Sequence, residues 1–254
     1  MASSVYFNNH SLQDSNIITE KVLHLSAPEI GQVLEAKARR NGSLLMSNYF
    51  TQRRIKLEGV IKDTSIENLD SRVDLIKSYL IGEEKNLDIG YITGTRRYIA
   101  TLSNLSIERE HYNTSWTPFS MEFACAEPFG RDTSPTVISS NGHTTSPFSE
   151  VFIIPGTVGA LPVITLTLNT GNNVTAIKVE NLTTDTSMLI TRDYSASDVL
   201  EVDCSEMTVE ANTIAVDYTG IFPSFDSGSN TLRITVTGTP FNIDLGISYL
   251  SLYL

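Results

Sequence analysis

The sequence is poor in the residues on which most catalytic and metal sites depend. Only two of its 254 residues are cysteines, Cys125 and Cys204, and both lie in apolar, strand-like surroundings. The four histidines stand singly, so no Cys/His spacing typical of a zinc site occurs. We therefore interpret the cysteines as small buried apolar residues and expect neither a metal nor a cofactor. The histidines are His10, His24, His111 and His143.

Long apolar runs are also absent. No run approaches the roughly 18 residues that a membrane-spanning helix requires. The N-terminal segment MASSVYFNNHSLQ has neither the basic region nor the apolar region of a secretory signal. We expect the chain to be made in a cytosol, where two distant cysteines rarely pair, and to leave the cell only by lysis.

Basic residues are scarce in the second half of the chain. Residues 1–130 hold 14 Lys and Arg against 16 Asp and Glu, whereas residues 131–254 hold 4 against 13, which gives net charges of −2 and −9. An acidic surface repels nucleic acid, so a DNA-binding role is disfavoured. The arginine pairs are too few to form a nucleic-acid groove, and we interpret them as ordinary exposed charge or as inter-subunit ion pairs. They are Arg39-Arg40, Arg53-Arg54 and Arg96-Arg97.

No catalytic motif is recognisable in the sequence. A G-x-S-x-G nucleophile motif is missing, and the segment Gly90 to Gly94 lacks the helix and lysine of a phosphate-binding loop. Several carboxylates could supply the acid and nucleophile of a glycosidase, but a solvated turn or a polar strand face explains them better. Residues 193–198 do not match a calcium loop. We therefore predict no catalytic, cofactor-binding or metal-binding residues. The carboxylates considered are Glu83, Glu84, Asp198, Glu201 and Asp203.

The clearest local element is a helix from about Ser65 to Ile81. Its apolar residues recur at spacings of three and four, Thr64 and Glu67 fit a capping box, and Gly82 supplies a stop. Strands that alternate apolar and polar residues flank it, and strands around one packed helix predict an α+β domain. These strands run from Arg53 to Ile61, Leu87 to Tyr91, Arg97 to Ile107 and Phe119 to Cys125.

Two further segments complete the pattern of the chain. Residues 30–38 fit either a helix stripe formed by Ile30, Val33, Leu34 and Ala38 or an extended arm, because Gly31 weakens the helix. Residues 131–149 are rich in Ser, Thr and Pro and predict a linker or surface loop.

Residues 150–254 lack a helical period. Short β-rich runs are separated by turn signals such as Asn169 to Asn172, Asp226 to Gly228 and Gly238 to Pro240, and this predicts a β-sandwich. The predicted strands are Val151–Ile154, Val163–Leu168, Val174–Val179, Ser187–Ile190, Val199–Val202, Leu232–Thr237 and Ile243–Leu250.

The order of these elements resembles the distal tail protein family of siphophages. The strand RRIKLEGVI, the helix TSIENLDSRVDLIKSYL and a hairpin ending GTRRYIA are similar to that family's N-terminal domain. Arg54, the strand Ile55 to Leu57 and Gly59 would match the family's pattern, as would the pair Arg97 and Tyr98. The match extends from about Asn48 to the end, and the first 45 residues fit only loosely.

The second half resembles the family's C-terminal galectin-like sandwich. The most specific match is GIFPSFDSGSNTLRI, in which Phe222-Pro223 ends an extended run, Gly228 takes a turn and Asn230 can bond the backbone. Residues 162–181 are similar to the opening strands. Asn212-Thr213 stands where the family often has Asn-Gly.

The resemblance implies a fold, a function and a set of partners. The expected fold is an α+β N-terminal domain, with a β-barrel-like sheet and one packed helix (1–130), a linker (131–149) and an all-β galectin-like sandwich (150–254). The expected function is structural: a homo-hexameric ring in the virion that joins the tail tube protein to a tail-tip or baseplate hub protein. DNA would be only cargo in the channel, a receptor-binding protein could attach, and assembly would occur in the host cytoplasm.

Three other functions compete with the ring. A carbohydrate-binding sandwich used in host adsorption would need an exposed aromatic, yet the only Trp, Trp116, precedes the sandwich, so Tyr194 or Tyr218 would have to serve. A tail-tube subunit would not need a complete second sandwich. An enzyme is the least supported reading. The first domain has few charges on a strand edge and lies next to an N-terminal arm. Such an edge can pair with a strand of another subunit, which agrees with a ring.

Overall fold

The structure is a computed structural model that describes residues 4–37, 39–108, 115–170 and 173–254. The chain divides into two units, residues 1–131 together with Leu254, and residues 132–253. Each unit has a separate cluster of buried apolar side chains. Among the predicted residues, Ala38, His111, Gly171 and Asn172 lie outside the described ranges.

The first unit is a mixed set of strands with one helix. A sheet in the order β2-β1-β7-β8-β9-β6-β3 provides its frame. The elements are β1 (Val5–Phe7), β2 (His10–Ser11), β3 (Ile17–Leu23), β4 (Ile30–Ala36), β5 (Ser43–Phe50), β6 (Arg53–Lys62), α1 (Ile66–Leu80), β7 (Lys85–Tyr91), β8 (Gly94–Ile107), β9 (Trp116–Cys125) and β10 (Gly130–Asp132).

Strand β6 shows why this sheet has one buried face. Ile55, Leu57 and Ile61 are buried and alternate with more exposed residues, as a strand with a period of two requires. Gly59 continues the buried row, because a Cβ at this position would lie 2.1 Å from the carbonyl oxygen of Ile18 on β3. The glycine therefore lets β3 and β6 approach.

Helix α1 covers the buried face of the sheet. Leu69, Ile76 and Leu80 are buried in the core of the first unit, as the apolar spacing predicted. The predicted N-cap is wrong by one residue: Ser65, not Thr64, is the cap, because its hydroxyl accepts a hydrogen bond of 3.2 Å from the backbone N–H of Asn68.

The two alternatives for residues 30–38 are resolved in favour of extended chain. β4 pairs only with β5, antiparallel from Ile30 opposite Phe50 to Ala36 opposite Ser43, and the two form a separate two-stranded sheet. We call residues 30–50 the arm. An isolated hairpin of this kind gains little from packing within the subunit.

The second unit contains two sheets. Their orders are β11-β21-β13-β16-β17-β18 and β12-β20-β14-β15-β19, and buried residues of both sheets form one core. Its strands are β11 (Thr136–His143), β12 (Phe148–Ile154), β13 (Val163–Thr170), β14 (Val174–Asn181), β15 (Thr186–Tyr194), β16 (Val199–Asp203), β17 (Thr208–Ala211), β18 (Ile214–Ala215), β19 (Tyr218–Gly220), β20 (Gly228–Thr237), β21 (Asn242–Tyr249) and β22 (Leu252–Tyr253).

All seven strands predicted for the second half are present, with ends shifted by a few residues. Residues 131–149 do not form a linker, because β11 and the start of β12 lie there and pair with β21 and β20. Strand β11 lies at the edge of its sheet, and its Ser- and Thr-rich composition resembles that of a loop. In the described part of the chain, no helix has the length and apolar character needed to cross a membrane.

Candidate assembly interface

The arm carries the most extensive uncovered apolar surface of the first unit. Eight of its large apolar side chains are 37–58% exposed, and β4 and β5 contain a single charged residue, Glu35. Contiguous apolar surface of this kind marks a site that a partner covers. The eight residues are Ile30, Val33, Leu34, Leu44, Leu45, Met46, Tyr49 and Phe50.

The tip of the arm is cationic. Lys37, Arg39 and Arg40 are exposed in the turn that joins β4 to β5, and the backbone N–H of Lys37 donates to the carbonyl of Gly42 at 3.3 Å. Among the described residues, no carboxylate forms an ion pair with these three side chains. The arm thus combines an apolar shaft with a concentrated positive charge at its end.

A buried arginine fixes the base of the arm. Arg53 is 2% exposed, and its Nη2 donates to the carbonyl of Ser26 at 2.8 Å, which ties the chain before the arm to the chain after it. Nη1 donates to the carbonyl of Pro128 at 3.2 Å, and the guanidinium lies 5.4 Å from the ring centroid of Tyr98. Backbone carbonyls and an aromatic face therefore hold this cation.

Glu29 adds a second tie at the same place. Its carboxylate contacts Arg54 at 3.2 Å and accepts a hydrogen bond from Gln52 at 3.1 Å. Its backbone exchanges hydrogen bonds with Thr51 and Gln52. Because these groups are exposed, each charge contact contributes little to stability, but together the contacts set the direction in which the arm leaves the sheet.

His24 is packed behind the base of the arm. Its Nδ1 lies 2.9 Å from the carbonyl oxygen of Val22, which can only accept, so Nδ1 carries the proton. Its ring meets Tyr91 edge to face at 5.0 Å. Burial lowers the pKa of His24, and the positive charges of Arg53 and Arg96 lower it further against the raising effect of the Val22 carbonyl. The imidazole is therefore neutral at pH 7.

The cysteines have no nucleophilic role in this structure. Cys125 and Cys204 are buried and free, as the sequence indicated. Burial is the main cause that raises the pKa of each thiol to about 12. Because the thiolate is the reactive form, neither cysteine is activated.

The carboxylates weighed as catalytic residues serve turns instead. Asp198 accepts hydrogen bonds from the backbone N–H of Ser195 at 2.9 Å and from Asn212 at 2.7 Å, and the Ser195 contact is the main reason that its pKa is lowered. Asp203 accepts from two backbone N–H groups of the following turn. Glu201 faces Glu210 across two strands and is exposed, so the pair lacks the apolar burial of a catalytic pair.

One cluster that the sequence did not suggest has the composition of a catalytic triad. The Ser140 hydroxyl donates to Glu150 and lies 2.9 Å from Nε2 of His143, whose ring stacks on Phe148. A triad requires the histidine to lie between the serine and the carboxylate, whereas here the serine lies between the other two. The hydroxyl is therefore not activated for attack. Across the described ranges, no group of three or more His, Cys, Asp or Glu residues is placed to hold a metal ion.

The aromatic residues proposed for sugar stacking have different environments. Tyr194 is 1% exposed and belongs to the core, so it offers no stacking face. Tyr218 is 40% exposed on the edge strand β19 and packs edge to face against Phe222 at 4.9 Å. Only Tyr218 of the two therefore remains for a carbohydrate.

The arginine pairs are more specialised than the sequence indicated. Arg54 is paired with Glu122 at 3.0 Å, and Arg97 makes two contacts of 2.8 Å with Asp88. Arg96 lies 4.1 Å from the ring centroid of Tyr91. Of the six arginines, Arg39 and Arg40 at the tip of the arm fit the prediction of exposed charge best.

The most specific sequence match forms a buried turn in the second unit. Asn230 donates to the carbonyls of Asp226 at 2.7 Å and Gly228 at 3.1 Å, and its side-chain oxygen accepts from Asn181 at 3.2 Å. Gly228 has a φ of +95°, a conformation that favours glycine. The predicted role of Asn230 at the turn exit is confirmed.

Comparison with known proteins gives the class of this molecule. A family model described as siphovirus-type tail component, C-terminal domain, matches residues 155–245. The fold is similar to the crystal structure of Dit of phage SPP1, described as a paradigm of hub adsorption apparatus in phages that infect Gram-positive bacteria, with a TM-score of 0.74, 12% identity and 100% of both chains covered. A second solved structure, the phage P2 baseplate in its activated conformation with Ca, aligns over 97% of this chain and 98% of that chain at 8% identity. Its TM-score of 0.45 is too low to show a shared fold. No curated protein sequence matches the chain.

The chain is therefore similar to phage tail components, in sequence over residues 155–245 and in fold over its whole length. Residues 155–245 match the model of a siphovirus-type tail component domain, which supports the predicted resemblance to the distal tail protein family for this part of the chain. Over the described residues the fold is mostly β with one helix, and it is similar to that of Dit.

Proposed function

We propose that this chain forms a closed ring of six copies, which joins the tail tube to the tail tip or baseplate. In this proposal the first unit, an α+β domain, builds the ring, and the second unit is a galectin-like sandwich. Assembly takes place in the host cytoplasm, and DNA passes through the ring as cargo. The partners are the tail tube protein and a tail-tip hub protein, with a receptor-binding protein or cell-surface glycan at the second unit.

The arm is the observation that carries the proposal. Its apolar side chains lack cover within the subunit, and two free strand edges accompany them. A hairpin with those properties is stable when another chain packs on it or extends it. In a homo-oligomer the cover comes from a neighbouring copy, and a head-to-tail contact of this kind closes into a ring when its rotation permits.

The rigid base of the arm supports a defined geometry. Arg53 links both ends of the arm to the body of the first unit, and Glu29 adds contacts to Thr51, Gln52 and Arg54. A ring needs the same angle between successive subunits, so the element that makes the contact has to leave each subunit in one direction. A loosely tethered arm would favour open chains.

The proposal is tested by removing the apolar character of the arm. Leu34 and Leu45 face each other across β4 and β5 and are exposed, so Leu34→Asp with Leu45→Asp leaves the subunit folded. We expect the native chain to have six times the subunit mass in light scattering after size exclusion, and the double variant to be monomeric.

A matched control changes two apolar residues that are equally exposed on the second unit. Val151→Asp with Ile153→Asp alters edge strand β12, and this variant is expected to keep the oligomer. A native chain that stays monomeric at every concentration, or an arm variant that assembles like the native chain, would refute the ring.

A further inference from the structure

We propose that a groove beside Trp116 on the first unit receives the cationic tip of the arm from a second copy. This inference rests on the proposed ring and identifies the surface on which the arm docks. The groove has a volume of about 480 Å³ and lies on the face of the sheet opposite the core. It is lined by β3, β6, β8 and β9.

The floor of the groove is apolar. Val60 on β6 stands directly opposite Pro118 on β9, and Trp116 lies at the next such position along β9, opposite Lys62. Trp116, the only tryptophan of the sequence, is 45% exposed, whereas tryptophan side chains are on average largely buried. A half-exposed aromatic in a concave surface is typical of a protein-binding hot spot.

The rim of the groove is acidic. Glu20, Glu58 and Glu108 line it, and among the described residues no Lys or Arg does. Glu58 is paired with Lys56 at 2.7 Å and with Lys21 at 3.3 Å, so its charge is largely compensated. Within the described ranges, neither Glu20 nor Glu108 forms an ion pair. Two carboxylates at an apolar groove thus favour a cationic partner.

The arm tip has the complementary chemistry. Lys37, Arg39 and Arg40 supply three cations within four residues, and the shaft behind them supplies leucine side chains for the apolar floor. Arginine at a desolvated aromatic site gains from both the carboxylates and the ring face. Complementary charges of this kind fix register and partner choice more than they add affinity.

The position of the arm favours a second copy as the occupant. The arm starts at the Arg53 end of β6, whereas the groove is lined by Glu58, Gly59 and Val60, five to seven residues along the strand, or roughly 17–23 Å at about 3.3 Å per residue. The described residues that line the groove include none from the arm of the same copy. The seven paired positions of the arm extend roughly 23 Å, a length that can bridge to a neighbouring subunit.

A disulfide trap tests the contact in the full-length chain. The variant Arg40→Cys with Glu108→Cys places one thiol on the tip and one on the rim, and the two native cysteines are buried and free. After oxidation we expect a ladder of covalent oligomers on denaturing gels. Each single variant, Arg40→Cys or Glu108→Cys, should give no ladder beyond a dimer.

Charge reversal gives an independent readout. We expect Arg39→Glu with Arg40→Glu, or Glu20→Lys with Glu108→Lys, to raise the concentration of half-assembly by roughly tenfold or more, and the four changes together to restore most of the loss. Glu83→Lys with Glu84→Lys, exposed acids outside the groove, serves as the matched control and should change assembly little. Circular dichroism verifies that each variant is folded.

Trp116 fluorescence separates failure of this inference from failure of the ring. Burial of the groove should shift the emission of the single tryptophan to shorter wavelength on assembly. A six-fold mass in light scattering with unchanged emission, no disulfide ladder and no charge rescue would overturn the groove and leave the ring standing. A chain that remains monomeric throughout would overturn both.

Discussion

The two units differ in how much of their surface suits contact between identical copies. Residues 1–130 are almost balanced in charge, at −2, and present an uncovered apolar arm, whereas residues 131–254 carry −9. Six copies of an acidic body repel one another at close range, but copies of a balanced one do not. The contrast supports the proposal that the first unit makes the ring contacts and that the second unit meets other molecules.

The separate cores give the strongest test of this contrast. Phe225 is buried in the second unit and packs edge to face on Phe152 at 4.6 Å. Phe225→Ala should therefore destabilise that unit by about 3–5 kcal/mol. In denaturant titrations we expect the circular dichroism transition to shift, while the fluorescence of Trp116, which lies in the first unit, keeps its midpoint.

The reciprocal variant is the control for that experiment. Phe123 is buried in the first unit and packs on Phe7 at 4.9 Å, so Phe123→Ala should move the Trp116 transition. Equal shifts of both signals in both variants would mean that the two cores unfold together.

A smaller change should sharpen the comparison by strengthening only the second unit. Asn212 and Thr213 form the two-residue loop between β17 and β18, with φ values of +52° and +66°. A β-branched residue is strained in this conformation, so Thr213→Gly should stabilise the unit by about 0.5–1 kcal/mol in thermal or chemical unfolding.

Asn212→Gly is the informative counterpart of that change. Its side chain accepts from the backbone N–H of Val199 and donates to Asp198, and both hydrogen bonds would be lost. We expect Asn212→Gly to destabilise the unit, and an equal gain from both glycine variants would contradict the assigned roles.

The smallest effect should be a pH dependence confined to the first unit. The folded state lowers the pKa of His24 below its ordinary value of 6.5, so the unfolded chain binds its proton more readily. The stability that neutral His24 provides is present above about pH 6.5 and falls as the pH is lowered towards its folded pKa.

His24→Gln should remove this dependence between pH 7 and 5, as measured by denaturant titration of the Trp116 signal. The groups that influence His24 in the native state are Tyr91, Arg53 and Arg96, none of which changes charge in that window. A variant with the native pH profile would show that another residue is responsible.

The sequence predicted the elements whose apolar spacing reflects a core. Helix α1 and the seven strands of the second half have one buried face each, so their periods are visible in the residues. Strand β11 is mostly exposed and rich in Ser and Thr, so its composition resembles that of a loop. The sequence predicted Thr64 as the N-cap and the structure shows Ser65, because either hydroxyl can cap the helix and only the backbone geometry distinguishes them.

The assembly interface was less predictable for a physical reason. Ile30, Val33 and Leu34 have helical spacing, but the arm has no core within the subunit, so burial imposes no period on it. Arg53 is equally hidden, because its neighbours in space, Ser26 and Pro128, are distant in sequence. The tip and the groove come from separate parts of the chain, and only the structure shows that their charges match.

The uncovered arm also has a consequence for the newly made subunit. Until neighbours arrive, two apolar strands with open edges can join to any similar strand, which is the usual start of aggregation. Lys37, Arg39 and Arg40 interrupt that apolar stretch with like charges that resist stacking. If the proposed ring forms, the same three cations would protect the newly made chain from aggregation, because productive assembly would compete with precipitation for as long as the chain is free.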